Sequence, residues 1–457
     1  MSTSPERKSS ADDFYAALEE RASAIEARYR SLTPESARLN EEAQSFQPGG
    51  STRDAVLRQP YAPFFSGVEG GWVTDADGRR ITDLWFNASS LPLGYGDPGV
   101  LAAVHEQLSR GTAFFGPTEP DVEFARLLCQ RLTSAERVRF TNSGTEAVMV
   151  AIQIARGLTG REGIAKFEGS YHGTYDDVFW SVATGSLDVG PVDRPVPIVG
   201  SLGVPPDPSR TLVLPFNELG ATEKLLEANA HRIAALLVEP VPHRIGLIRP
   251  EPGFLEGLRA ICDRHRMVLI FDEVIAFRVG YHGAQGLFGV KPDLTVLGKI
   301  IGGGFPAGAV VGRAEVMAVT EPNRAKRVPH FGTFSANPVS MVAGKATMEA
   351  LTPGVFRGLN ASGERIRREL RRICEGLPLR VTGVGSLFKI NATDLAIRDY
   401  RTALTVDRRW QELASLALLN EGFFLTTKLH GCVSLATTEE QIENFLSAFE
   451  RLVRGGT

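Results

Sequence analysis

The chain has 457 residues, too many for one simple core, and its 43% hydrophobic and 23% charged residues suit a soluble globular protein of two or three packed subdomains. A formal charge of -3 makes no electrostatic case for nucleic acid or a membrane surface, and no apolar run nears the roughly 18 residues of a membrane span. Met1 to Ser10 lacks the apolar stretch of a signal peptide, and Cys129, Cys262, Cys374 and Cys432 stand far apart without a CxxC pair, so we expect no metal site, no disulfide framework and a reducing, cytoplasmic setting.

Residues 11–45 are charge-rich, with Phe14, Leu18, Ile25 and Leu32 at helical spacing, which predicts an N-terminal helical extension ended by Pro48-Gly-Gly50. Gly71-Trp-Val-Thr and Arg80-Ile-Thr-Asp-Leu84, joined by Asp75-Ala-Asp-Gly78, predict a β-hairpin. From about residue 96 helices alternate with short apolar strands. The helices are expected over 100–109, 121–132 and 144–156, and the strands over 138–141, 233–238, 267–271 and 294–297. Such alternation argues for a mostly parallel sheet covered on both faces. Glycine and proline make residues 185–209 loop-like, and from about 346 helices over 357–375 and 408–420 flank weak strands near 380–391 and 422–436. The expected division is residues 1–95 as an N-terminal helical and β segment, 96–345 as a large α/β unit and 346–457 as a smaller α+β unit.

In open α/β sheets ligands sit beyond the carboxyl ends of the strands, so polar residues just after each strand are the candidates. Thr141-Asn-Ser-Gly-Thr-Glu146 has capping-box spacing and opens a helix whose free N–H groups, hydroxyls and dipole suit a phosphate; plain capping is the alternative. Asp272 and Glu273 close an apolar strand, where a carboxylate needs a cation or hydrogen-bond donors, or else caps the next helix. Lys299 follows Leu297-Gly298 and precedes three glycines; desolvation there would lower its pKa and make it a Schiff-base former, whereas an exposed loop lysine is the plainer reading. Tyr171, in Gly169-Ser-Tyr-His-Gly173, offers a ring to stack on a flat ligand or to pack into the core.

Together with Glu239-Pro240, Asp272-Glu-Val274, Leu297-Gly-Lys-Ile-Ile-Gly-Gly-Gly304 and Gly332-Thr-Phe-Ser-Ala-Asn-Pro338, these segments resemble the class III, fold-type I aminotransferases that use pyridoxal 5'-phosphate (PLP). The resemblance runs from about residue 47 to the C-terminus. It implies an α/β large domain with a smaller α+β domain built from both termini, and a homodimer with shared active sites. It also implies that Lys299 carries PLP as a Schiff base and moves the substrate proton. Asp272 then pairs with the ring nitrogen, Val274 and Tyr171 flank the ring, Ser143, Gly144 and Thr145 hold the phosphate, and Thr333 reaches the phosphate of the partner subunit. Glu146 and Glu239 support the cofactor.

Within the family the sequence is similar both to glutamate-1-semialdehyde aminomutases and to β-phenylalanine aminotransferases. Three positions depart from the aminomutases: Arg244 stands where they carry asparagine, Lys428-Leu-His-Gly431 replaces a glutamate, and Ile275-Ala-Phe-Arg278 is one residue short of their Thr-Gly-Phe-Arg pattern. Pro48-Gly-Gly-Ser-Thr-Arg53 and Leu418-Leu-Asn-Glu421 look like the β-phenylalanine group, which makes Arg53 the expected substrate-carboxylate residue, with Arg244 second and Lys428 third. The expectation is therefore a transaminase moving an amino group from a small β- or aromatic amino acid to a keto acid, with an aminomutase as the alternative. A PLP-fold binding module is a third reading, and the retained Lys299 and Asp272 speak against it.

Overall fold

The computed structural model describes residues 10–182 and 188–455; the polar start at residues 1–9 and residues 185–187 of the expected loop lie outside them. Helices Ser10–Glu19, Ala22–Leu32 and Pro34–Gln44 form the N-terminal extension, the third restarted by a proline at its first position. Their apolar face packs on helix Arg408–Asn420, where Phe14 meets Trp410 and Asn420 Nδ2 donates to Ile25 O at 2.9 Å. The next strands are β1 (Phe65–Glu69), β2 (Trp72–Asp75) and β3 (Arg80–Asp83), each antiparallel to the one before. The expected hairpin is β2–β3. Sequence reading missed β1 and the short parallel pairing of Phe423–Phe424 with β3.

The large sheet comprises β4 (Arg137–Thr141), β5 (Gly163–Phe167), β6 (Thr211–Leu214), β7 (Ile233–Val238), β8 (Val268–Asp272), β9 (Leu294–Gly298) and β10 (Gly308–Gly312), in the order β4-β10-β9-β8-β7-β5-β6. All run in one direction except β10, which is antiparallel to both β4 and β9. β5, β6 and β10 were not foreseen, because four or five residues bounded by glycine or polar turns give too short a period to stand out. β7 is buried throughout, and each of Ile233, Leu236, Leu237 and Val238 contributes about 1.5–3 kcal/mol by leaving water.

The register sets the functional edge. Gly308 of β10 lies opposite both Thr141 of β4 and Gly298 of β9, and Asp272 of β8 lies opposite Val296. The residues after β4, β8 and β9 therefore emerge side by side. Gly308 permits this closeness, since a Cβ there would sit 2.2 Å from Ser143 O. Beyond the sheet, Leu379–Thr382, Leu387–Ala392 and His430–Cys432 form a three-stranded antiparallel sheet. Arg278 is fully buried and ties these parts together, donating to Ser89 O at 2.7 Å, Val433 O at 2.6 Å and Ser386 Oγ at 3.1 Å. Among the described residues, no helix is long and apolar enough to cross a membrane.

Candidate active site

A cavity of about 580 Å³ opens at the carboxyl edge of the large sheet and is lined by Ser143, Gly144, Thr145, Tyr171, Glu239, Asp272, Val274 and Lys299. Eight expected site residues, from five different strand ends, thus share one space. Arg53 stands on its rim.

Lys299 immediately follows β9, in a left-handed conformation at φ 51°, which costs a residue other than glycine about 1–2 kcal/mol. No hydrogen bond or ion pair holds its Nζ among the described residues. Desolvation pushes its pKa down, Arg244 adds to this, and Asp272 and Glu239 oppose it. An amine placed so is strained, desolvated and free to react.

The two acids closing β8 divide the readings offered for them. Asp272 turns into the cavity, where Oδ2 meets His172 Nδ1 at 2.8 Å and Oδ1 accepts from Val274 N at 3.1 Å. A carboxylate only accepts, so Nδ1 of His172 carries the proton. Glu273 turns away and caps helix Gly283–Phe288, accepting from Ala284 N at 2.5 Å and Gln285 N at 3.1 Å. Burial raises the Glu273 carboxyl to about 7.

Helix Gly144–Thr159 begins at the cavity. Ser143 is its N-cap, its Oγ accepting from Glu146 N at 3.2 Å. The expected capping box is only half formed: the Glu146 carboxylate accepts from Asn142 N at 2.8 Å and Asn142 Nδ2 at 3.1 Å instead of from Ser143. Glu146 thereby fixes the loop without lining the cavity. Gly144 allows Val274 to press against the helix start, where a Cβ would lie 2.8 Å from Val274 Cγ2.

Tyr171 N donates to Glu239 Oε1 at 2.7 Å, and Glu239 Oε2 lies 3.0 Å from His243 Nδ1. Burial alone would raise the Glu239 carboxyl; His243, His172 and the Tyr171 N–H together bring it down to about 2. Arg244 does not line the cavity. Its guanidinium stacks on Tyr171, 4.1 Å from the ring centroid.

Sequence reading missed the cavity's other wall. Phe86, Asn87, Ala88 and Ser89 all have positive φ, forming a left-handed turn rare for side-chain-bearing residues. It is held from several sides: Asp83 Oδ1 accepts from Trp85 N at 2.6 Å and Phe86 N at 3.0 Å, Tyr95 donates to Asp83 Oδ2 at 2.6 Å, and Arg278 binds Ser89 O. The turn presents Asn87, whose Oδ1 accepts from Arg53 Nη1 at 3.2 Å. His172 is a further functional residue, signalled in the sequence only as a histidine in a tight Gly-rich turn. Thr333 lies apart from the cavity, on an exposed turn flanked by Phe331 and Phe334.

Residues 57–453 match the family described as aminotransferase class-III. A glutamate-1-semialdehyde 2,1-aminomutase of Roseiflexus castenholzii is 40% identical over 423 residues, covering 89% of this chain and 94% of its own. Among solved structures, an omega-transaminase from Sphaerobacter thermophilus superposes with a TM-score of 0.89 at 43% identity, over 92% of this chain and 97% of that one. A β-phenylalanine aminotransferase from Variovorax paradoxus does so with a TM-score of 0.87 at 32% identity, over 96% and 98%.

The PLP used by this family suits the residues present. A flat, anionic, ring-nitrogen cofactor needs a phosphate seat, a carboxylate for the nitrogen and an amine for the aldehyde. The cavity offers the capped helix start at Ser143–Thr145, Asp272 backed by His172, and the unpaired Lys299. Among the described residues, His172 Nε2 is buried without a hydrogen-bond partner.

Proposed function

The chain belongs to the class-III aminotransferase family of PLP enzymes, and on that premise we propose that it is a transaminase for β- or aromatic amino acids that uses a keto acid as acceptor. The observation that carries this reading is the position of Arg53. It stands where the Lys299 cavity meets a second cavity of about 500 Å³, whose walls include Phe65, Trp85, Leu93, Val100 and Phe424. A substrate with its carboxylate on Arg53 has its amino group toward Lys299 and an apolar chamber for its side chain. The 43% identical omega-transaminase supports the transferase side.

Bound PLP supplies an electron-accepting ring that stabilises negative charge on the substrate carbon. Ser143, Gly144 and Thr145, at the helix start, would hold its phosphate end with their N–H groups. Asp272 would pair with the ring nitrogen and keep it protonated, with His172 fixing that carboxylate in place. Val274 and Tyr171 would confine the ring from the cavity walls. Glu239 holds the Tyr171 backbone and leaves its ring on the cavity wall. Lys299 Nζ, whose hold on a proton desolvation weakens, would take up the proton lost by the amino-bearing carbon of the substrate and hold it for return during amino transfer. Arg53 orients the substrate through its carboxylate, with Asn87 aligning the guanidinium.

The functional unit is a homodimer. Phe114, Phe115, Phe331 and Phe334 are all exposed, and Asn337 Nδ2 bonds Thr112 O at 2.8 Å, which joins their two loops into one apolar surface. A second copy covers that surface and receives Thr333 at its cofactor phosphate.

The aminomutase reading keeps one specific support, the 40% identical relative of that name. Turnover separates the two. Purified holoenzyme should deaminate β-phenylalanine only when pyruvate or 2-oxoglutarate is supplied. Conversion of glutamate-1-semialdehyde without any acceptor, and no turnover of β-amino donors with one, would overturn the proposal.

A further inference from the structure

Beyond Tyr171, on the far side of its contact with Arg244, lies a third, much smaller cavity that the chemistry above does not use. Its lining includes Arg244, Lys389, Arg408 and Lys428, and no acidic residue. Its volume is about 40 Å³, room for about three waters or one carboxylate group. Lys389 forms its floor and is only 4% exposed. Among the described residues nothing accepts a hydrogen bond from Lys389 Nζ, and nothing bonds the Arg244 guanidinium or Lys428 Nζ. Lys428 is exposed at the mouth, and the acid acting on it is Glu412.

An unpaired buried ammonium is costly, and neighbouring cations add repulsion. Burial first, then Lys428 and Arg408, pulls Lys389 down to about 7. Water could hydrate the amine but would leave the repulsion in place. A small anion removes both penalties, and guanidinium and ammonium groups are the donors that bind carboxylates and phosphates best. We propose that Arg244, Lys389 and Lys428 form a binding site for a small oxyanion, of carboxylate or phosphate type, separate from the catalytic cavity and sharing with it the Arg244–Tyr171 contact. The anion is either free in solution or the far carboxylate of a two-acid acceptor, since Arg244 lines this cavity and stacks on Tyr171, which lines the catalytic one.

The test is thermal unfolding of the PLP-loaded protein, whose cofactor already fills the phosphate seat, at constant ionic strength in chloride, inorganic phosphate or succinate. Phosphate or succinate should raise the parent's Tm by roughly 2 °C or more over chloride. Lys389→Met, which replaces an unpaired buried charge by an apolar chain of similar length, should melt higher than the parent in chloride and show no anion response. Lys428→Met, at the solvent-exposed mouth, gives an independent variant and should lose most of the response. Equal anion responses in the parent and in Lys428→Met, or no response in the parent, would overturn the site. The two sources separate in the kinetics of Lys428→Met, an arm that rests on the transaminase reading. A KM raised for 2-oxoglutarate but not pyruvate identifies the acceptor's carboxylate, whereas loss of the thermal response with both KM values unchanged identifies a free anion.

Discussion

Lys166, inside β5, and Lys299, just after β9, belong to the same sheet, and burial lowers the pKa of both amines. Glu239 and Arg244 act on both, but their hydrogen bonding and backbone differ. Lys166 is fully buried and donates to Ser170 O at 2.9 Å and Trp180 O at 2.5 Å, so its amine is spent on shaping the turn that carries Tyr171 and His172. Among the described residues Lys299 has no such acceptors; it holds a left-handed backbone and faces the cavity. Desolvation alone therefore does not make a reactive lysine; the absence of partners at a ligand-sized space does.

That contrast can be broken at several points. The largest effect is expected for Lys299→Ala, which should abolish turnover and the yellow colour of the covalently held cofactor, while Lys166→Met should keep the colour. A coloured, active Lys299→Ala protein would end the assignment. Next, Asp272→Asn should retain cofactor but lower kcat about 10²–10³-fold, since an amide supplies no full charge opposite the ring nitrogen. Pre-steady-state proton-transfer rates are the measurement, and a parent-like rate would remove Asp272 from the chemistry.

Arg53→Ala should raise KM for carboxylate-bearing donors about 10- to 100-fold, the equivalent of roughly 1.5–3 kcal/mol for a charged hydrogen bond, and spare simple amines. Equal losses on both donor types would make Arg53 structural. The smallest effect is on stability. Lys166→Met strands two carbonyls and should cost about 1–3 kcal/mol in denaturant unfolding near pH 7. The sign of its pH dependence follows from a folded value of about 7 against an ordinary 10.5. The unfolded chain binds the extra proton between those values, so the parent gains stability as pH rises through that window and the variant gains less. Identical slopes would mean that Lys166 is not the titrating group.

Much of the candidate site was legible because it is local. Ser143 stands just past β4, Asp272 closes β8 and Lys299 follows β9, and co-directional strands bring their carboxyl ends to one edge. Asp272 and Glu273 were also legible as a pair but not as individuals, because period-2 alternation sends them to opposite faces and only packing decides which face is the cavity. The half-formed capping box failed for a similar reason: Glu146 had two competing donors, and the Asn142 loop won.

Sequence alone therefore determined the alternation of helix and strand, the hairpin, the residues at the strand mouths and the family they resemble. It did so because backbone periodicity and strand-end chemistry act over a few residues. Tertiary structure alone decided the reversal of β10, the His172–Asp272 contact across 100 positions, the left-handed turn that presents Asn87 to Arg53, and the convergence of Arg244, Lys389 and Lys428 on one small cavity. Each of these depends on which strands and loops become neighbours and in what register. That choice is made by the burial of the whole core, and no local spacing encodes it.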